Sequence, residues 1–341
     1  MVYQYCICQP KKTKSILKYH TYYSAIIKKY LEASDEWVST KNKAISHFCD
    51  HDPAGRIKCR LALRSYIFDK AVLARVLRHI PYHPPTFIIQ GGRLNETEKK
   101  NAKKYLSPNK SHKWFLKPAM SCGGVGIQVL STLNEFPQHV NPMKQYVIQR
   151  CINSILYQGK KFDIRSYILV VVSKKRVRFY LSKDSCMHIS SYLYDENKLD
   201  KEINVTNLYY QKLIKTDESS DDTKSDCYRN TLSLSRWEHY QTVFPKMKEA
   251  IRVIASKLDS QIIRRNTVAL LGCDFIIDQD LNPHFLEVNI NIGFSIHIRP
   301  PETATMLTEM IQEIIPVGYL PLINNQIPPK ESNQWIQAYV S

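Results

Sequence analysis

Apolar residues follow one spacing in the first third of the chain and another after it. In "RSYIFDKAVLARVLRHI" (64–80), Ile67, Val72, Leu73, Val76, Leu77 and Ile80 recur at helical intervals, and the following "PYHPP" ends the pattern, which predicts one helix there. "SAIIKKYLEA" reads as a short helix, "TFIIQ" as a short strand, and "GGRLNETEKKNAKKYLSPNKSH" as loop plus surface helix. From 114 onward the runs become short and β-rich: "WFLKP", "GIQVL", "YVIQRC", "SYILVVV" and "VRFYLS" predict a sheet. "VFPKMKEAIRVIASKL" puts Phe244, Met247, Ile251, Ile254 and Leu258 on one stripe and is the strongest helix signal. "ALLGCDFIID" and "HFLEVNI" read as two strands joined by the turn "QDLNP", and "ATMLTEMIQEII" as a last helix. "KTDESSDDTKSDCYRN" (215–230) has almost no apolar residues and reads as an exposed insertion or disordered loop. No internal repeat is present.

Three polar constellations interrupt these runs. Glu287 and Asn289 stand two apart in "HFLEVNINIGF", so they project from one face of a strand, and Asp274 stands inside the apolar run before it. An antiparallel hairpin through "QDLNP" would bring all three oxygen-bearing side chains to one place. Hard oxygen ligands of this kind suit Mg²⁺ that also binds substrate phosphates, while solvated acids on an edge strand are the plain alternative. In "WFLKPAMSCGGVGI", Lys117 ends a strand and Gly123, Gly124 and Gly126 form a turn whose amides can approach phosphate oxygens. The spacing is not that of a P-loop or a dinucleotide fingerprint. In "GKKFDIRSYILV", Lys161, Asp163 and Arg165 alternate and share a face, where the arginine could hold a carboxylate or phosphate in a forked pair.

The 341 residues are 43% hydrophobic and 23% charged, ordinary for one large or two to three smaller domains. No apolar stretch is long enough to span a membrane, and "MVYQYCICQPKKTK" is too polar for a secretory signal, so a soluble, unexported protein is expected. Nine scattered cysteines without a CxxC pair predict free thiols in a reducing compartment. The formal charge of +17 attracts polyanions: nucleic acid, an anionic membrane or an acidic protein tail. No zinc finger or RNA-binding aromatic signature selects among them.

In this order, "KPAMSCGGVGI", "YVIQRCI", "KKFDIRSYILV", "VTNLYYQK" and "GCDFIIDQDLNPHFLEVN" resemble the tubulin tyrosine ligase-like family over about 114–291, extending more weakly upstream to about 65. The resemblance implies an α+β, ATP-grasp fold: antiparallel sheets with flanking helices and a nucleotide between two subdomains. The expected divisions are a basic N-terminal region (1–60), a central subdomain (61–140), a C-terminal subdomain (141–320) and a tail (321–341). It implies ATP and Mg²⁺ as cofactors, with Asp274, Glu287 and Asn289 as metal ligands. Lys70, Lys117, Lys161, Asp163, Gly124, Gly126, Thr206 and Asn207 would lie at the nucleotide, and Gln149, Arg150, Cys151 and Ile152 would meet the adenine. Arg165 would stand at the acceptor carboxylate and reacting centre. His188 occupies a position where the family generally has an arginine that orients the substrate carboxylate; a plain surface histidine is the other reading. Gly123, Asn204 and Ile155 also depart from the family pattern.

The implied function is ATP-dependent ligation of an amino acid to tubulin tails through an acylphosphate, glutamate being the expected donor. Tyrosine or glycine ligation, an impaired tubulin-binding relative, and a ligase acting on a small peptide or metabolite are the alternatives. The glutamate-rich tubulin tail gives the basic excess a partner, and neither nucleic acid nor membrane is expected as one. A cytoplasmic, cytoskeleton-associated monomer is expected, with cilium or flagellum among its places.

Overall fold

Short polar breaks between β-rich runs turn the chain back on itself repeatedly, and nearly all strand pairs are antiparallel as a result. The computed structural model describes residues 3–6, 26–35, 37–39, 48–49, 57–58, 60–105, 112–207, 210–211, 230–290, 292, 294, 296 and 299–341. Most of the 1–60 region and nearly all of the 215–230 insertion therefore lie outside the described residues. Residues 26–32 are helical, within the segment expected to be so. Strands β1 (Tyr3–Cys6), β2 (Trp37–Ser39) and β3 (Phe48–Cys49) form a small parallel sheet in the order β2-β1-β3.

The second sheet holds β4 (Thr86–Gln90), β5 (Arg93–Leu94), β6 (Trp114–Pro118), β7 (Gln128–Leu130) and β8 (Tyr146–Arg150) in the order β5-β4-β8-β6-β7, all antiparallel. Its outer face buries Phe87, Ile89, Trp114, Leu116 and Ile148 in one cluster. Helix α1 (Lys70–Val76) packs against its inner face, where Ala71 and Ala74 meet Ile88 and Val147, and Ala102 of helix α2 (Glu96–Ala102) joins the outer cluster. The predicted 64–80 helix shortens at both ends. The Asp69 carboxylate accepts from the Ala71 and Val72 amides at 2.7 and 3.1 Å, a cap that stops the helix from starting earlier, and Leu77 closes it.

The largest sheet is built on the thirteen-residue β9 (Lys160–Val172). One edge of β9 pairs with β13 (Thr267–Ile277), which pairs onward with β14 (Pro283–Asn289). Its other edge pairs first with β11 (Cys186–Leu193) and then with β10 (Val177–Ser182). The outermost strands are β12 (Thr231–Ser233), beside β11, and β15 (Trp335–Val340), beside β10. Even-numbered β9 side chains, including Phe162, Ile164, Ile168 and Val170, face the amphipathic helix α3 (Tyr240–Leu258). On the opposite face Tyr167, Leu169 and Val171 pack under α4 (Pro301–Gln312), while Lys161, Asp163 and Arg165 continue that face beyond this core. The composition of one strand thus divides one sheet face into core and site.

Two expected boundaries move. The tail over 321–341 is instead part of the sheet: β15 pairs with β10, and Trp335 is fully buried with its indole N–H donating to the Met310 carbonyl at 3.2 Å. The division at 140 falls too early, because β8 lies between β4 and β6 and the change of sheet comes between Arg150 and Lys160. Uniform β-rich runs from 114 to 182 carry no mark of which sheet each strand joins. Among the described residues no helix is long and apolar enough to cross a membrane, and Cys122, Cys151, Cys186 and Cys273 are free thiols.

Candidate active site

The "QDLNP" hairpin sets Asp274 directly across from Glu287 and Gly272 across from Asn289. A bulge beside this pair leaves Leu286 without an opposite number, so Phe285 and Val288, three apart, both enter the core while Glu287 faces outward from it. On its other side β13 sets Asp274 opposite Arg165, and β11 sets His188 opposite Asp163. One stripe of polar side chains thus crosses four strands. The inner face of the five-stranded sheet lies over it, carrying Phe115, Lys117, Gln149 and Thr86.

Within the stripe Arg165, Asp274 and Glu287 are each engaged by an opposite charge. Arg165 grips Asp274 with two parallel hydrogen bonds, one to Oδ1 and one of 3.0 Å to Oδ2. Burial pushes the Asp274 carboxyl up to about 7, although Arg165 opposes the shift. Asp274 holds Arg165 firmly protonated against the burial that would lower it. Burial acts in the same upward sense on Glu287, but Lys70, Lys117 and Arg165 outweigh it and keep that acid low. Lys70 lies 3.4 Å from Glu287 and donates to the Ser121 carbonyl at 2.5 Å, tying the glycine turn to the acid. Asn289 donates from Nδ2 to Asp274 at 3.1 Å and to Glu287 at 3.3 Å.

On the facing side, Lys117 donates to Gln149 Oε1 at 2.7 Å, and the Gln149 amide donates to Thr86 Oγ1 at 2.9 Å. Burial pulls the Lys117 ammonium down to about 8, with Glu287 opposing and Lys70 adding to the shift. Lys161 is 1% exposed and makes no ion pair among the described residues. It sits over the Tyr194 ring at 4.9 Å and the Phe115 ring at 5.5 Å and donates to Cys151 Sγ at 3.4 Å. A phosphate entering here would meet two poorly compensated lysines.

His188 is 5% exposed, so the surface reading of this residue fails. Its Nδ1–H donates to Asp163 Oδ1 at 3.0 Å, and the Thr206 hydroxyl donates to the other oxygen of the same carboxylate. Burial lowers the imidazole from its ordinary range despite Asp163. It acts to raise Asp163, but His188, Thr206 and Arg165 prevail and hold that acid low. The pair is therefore a neutral imidazole on a carboxylate.

Not every expected residue arrives. The Arg150 side chain leaves for the outer face of its strand, 3.1 Å from His112 Nε2 and over the Tyr105 ring at 5.7 Å. Strand alternation explains this, since Gln149 points inward. Cys151 meets Lys161, and Ile152 is half-buried with its carbonyl 3.6 Å from Cys151 Sγ. Asn207 accepts from the Tyr210 amide at 3.3 Å. Gly124 and Gly126 have φ of +74° and +72°, and a Cβ at Gly126 would stand 2.8 Å from Pro118 Cγ. The sequence reading passed over Gly272, where a Cβ would lie 3.0 Å from Arg165 Cδ; the missing side chain is the space Arg165 occupies. It also passed over His83, which donates to the Phe285 carbonyl at 3.0 Å and which burial pulls down to about 4. A glycine or histidine in such a setting carries no periodic signal.

Asp274, Glu287 and Asn289 offer two carboxylates and one amide. Among the described residues no group of three or more His, Cys, Asp or Glu side chains could hold a metal by itself. The set fits an ion that completes its shell with substrate and water, as Mg²⁺ does, because its oxygen donors are hard and too few to fill an octahedral shell by themselves. Asn289 would ligate through Oδ1, so its amide, which here turns nitrogen toward the acids, would be reversed.

The model of the tubulin-tyrosine ligase family matches residues 64–331. The chain is 28% identical to tubulin glycylase 3B of Drosophila melanogaster over 191 residues, 52% of this chain and 25% of that protein. It is 28% identical to tubulin glycylase 3A of the same organism over 235 residues, 64% of this chain and 23% of the relative. It is 25% identical to tubulin monoglutamylase TTLL4 of Mus musculus over 259 residues, 70% of this chain and 20% of the relative. The chain thus spans about a quarter or less of the length of these curated relatives.

Proposed function

Because the chain belongs to the tubulin-tyrosine ligase family, with its ATP-grasp-like architecture, we propose that it is an ATP-dependent ligase joining an amino acid to a carboxylate of an acidic tubulin tail. The observation that carries this reading is the polar stripe of Lys161, Arg165, Asp274 and Glu287, faced by Lys70 and Lys117 from the opposite layer. Mg²⁺ held by Asp274, Glu287 and Asn289 would balance charge on the triphosphate. When bound, ATP supplies the phosphoryl group that turns a carboxylate, a poor acyl donor, into an acylphosphate. Lys117 and Lys161 would offset the charge of that group, and Arg165, held by Asp274, would meet the acyl oxygen. Positioning supplies most of the rate, and no nucleophilic side chain is required. The +17 charge favours encounter with an acidic tail.

Glycine is the first donor to test: two of the three relatives described above are named glycylases, and His188 puts a neutral imidazole where the family generally has an arginine. Glutamate, the donor expected from the sequence, is the second, supported by the likeness to a monoglutamylase. The test incubates the protein with Mg²⁺-ATP, tubulin and labelled glycine, glutamate or tyrosine. ATP-dependent incorporation of glycine or glutamate into tubulin is expected. Tight nucleotide binding without transfer of any amino acid would replace this reading with that of a tubulin-binding relative, and transfer without tubulin would replace the acceptor. Gly272→Ala should lower the rate about tenfold by displacing Arg165, with nucleotide affinity little changed because the lysines are untouched. Rate and affinity measured on one preparation check this.

A further inference from the structure

His188 has one nitrogen committed and one waiting. With Nδ1–H donated to Asp163, the neutral ring presents a lone pair at Nε2, and this buried atom has no hydrogen-bond partner among the described residues. Leaving a buried acceptor unmet costs stability, which a donor arriving with substrate would recover. Asp163, further held by the Thr206 hydroxyl, fixes the ring's orientation and would stabilise it once protonated. Cross-strand register puts His188 beside Asp163, and Arg165, next but one along β9 on the same face, grips Asp274. An acceptor-only atom at this point fits a positively charged N–H donor.

On the strength of the ligase reading above, we propose that His188 binds the α-ammonium of the incoming amino acid through Nε2 and removes its proton before attack. The freed amine nitrogen adds to the acyl carbon of the acylphosphate. The C–N bond forms, the C–O bond to phosphorus breaks, and phosphate departs with the electron pair. The first proton resides on His188, opposite Asp163, until it returns to solvent; the second leaves the nitrogen with the departing phosphate. The charged groups facing the imidazole are Asp163 and Arg165 on β9 and Arg299 ahead of α4, with Cys186 the titratable neighbour on its own strand. The two arginines and burial favour the neutral, proton-accepting ring, and Asp163 opposes them. The base is therefore available at neutral pH and is lost only as pH falls below the ordinary imidazole range.

Hydroxylamine separates this role from phosphoryl transfer, since it is neutral at assay pH and captures an acylphosphate without a base. His188→Gln is expected to keep Mg²⁺-ATP affinity and hydroxamate formation within about twofold of wild type, while amino-acid ligation at neutral pH falls about a hundredfold. Above neutrality the variant should recover about tenfold per pH unit as free amine accumulates, while the wild-type rate stays flat. If the glutamine does not pack, His188→Asn gives the same readouts. Undiminished ligation by the variant overturns the inference, as does a deficit that is equal at all pH values or shared by hydroxamate formation. No hydroxamate from wild-type protein overturns the ligase reading itself, and this inference with it.

Discussion

Glu287→Gln should reduce ATP-dependent ligation by at least about a hundredfold, close to 2.7 kcal/mol of lost transition-state stabilisation, with a modest fall in melting temperature. The two halves of this expectation have separate causes. Glutamine keeps the shape of the side chain and can still accept from Asn289, but it removes the anion that faces Lys70 at 3.4 Å and stands across from Asp274. A neutral amide is a weak ligand for a hard divalent ion. Stability falls as well, because Lys70, Lys117 and Arg165 favour the Glu287 carboxylate and hold it low, and relief of the repulsion from Asp274 returns only part of that loss. Initial rates of label incorporation over a series of Mg²⁺ concentrations, with a melting curve on the same sample, give the comparison. A variant that ligates normally would remove Glu287 from the site.

How much of this arrangement was readable beforehand depends on the distance over which each signal acts. Asp274, Glu287 and Asn289 stood out because they broke apolar runs, and the "QDLNP" turn between their strands is local, so their convergence followed from period-two alternation and one hairpin. The bulge was also written there, in two core residues three apart, Phe285 and Val288. The same alternation places the Arg150 side chain on the outer face, which a segment-wide likeness obscured. Other features rest on partners far apart in sequence. Lys70 reaches Glu287 only because α1 packs on the five-stranded sheet, and Gln149 reaches Thr86 only because β8 inserts between β4 and β6. Those pairings are settled by global packing, as is the capture of β15 by β10. Gly272 is a third kind of case, since an absent side chain shows its purpose only beside the group that fills the space.

Arg165→Met should unfold more easily by about 3 to 5 kcal/mol, the usual result of stripping one partner from a buried ion pair, and should lose ligation. Loss of activity alone would not separate a reacting-centre role from a structural one. The double variant Arg165→Met/Asp274→Asn does separate them. With the carboxylate neutralised, no unpaired charge remains beside the new apolar side chain, so most of the lost stability should return, as it does when both members of a buried pair are replaced. Ligation should stay absent, because both the guanidinium and the anion are gone from the place where Arg165 and Asp274 now hold each other by two hydrogen bonds. The single variant should also gain more thermal stability from Mg²⁺-ATP than wild type does, since the ion supplies positive charge that Asp274 has lost. Denaturant curves and melting shifts with and without nucleotide measure each of these. If the double variant recovers ligation together with stability, Arg165 and Asp274 are a structural clasp and the reacting centre lies elsewhere on the stripe.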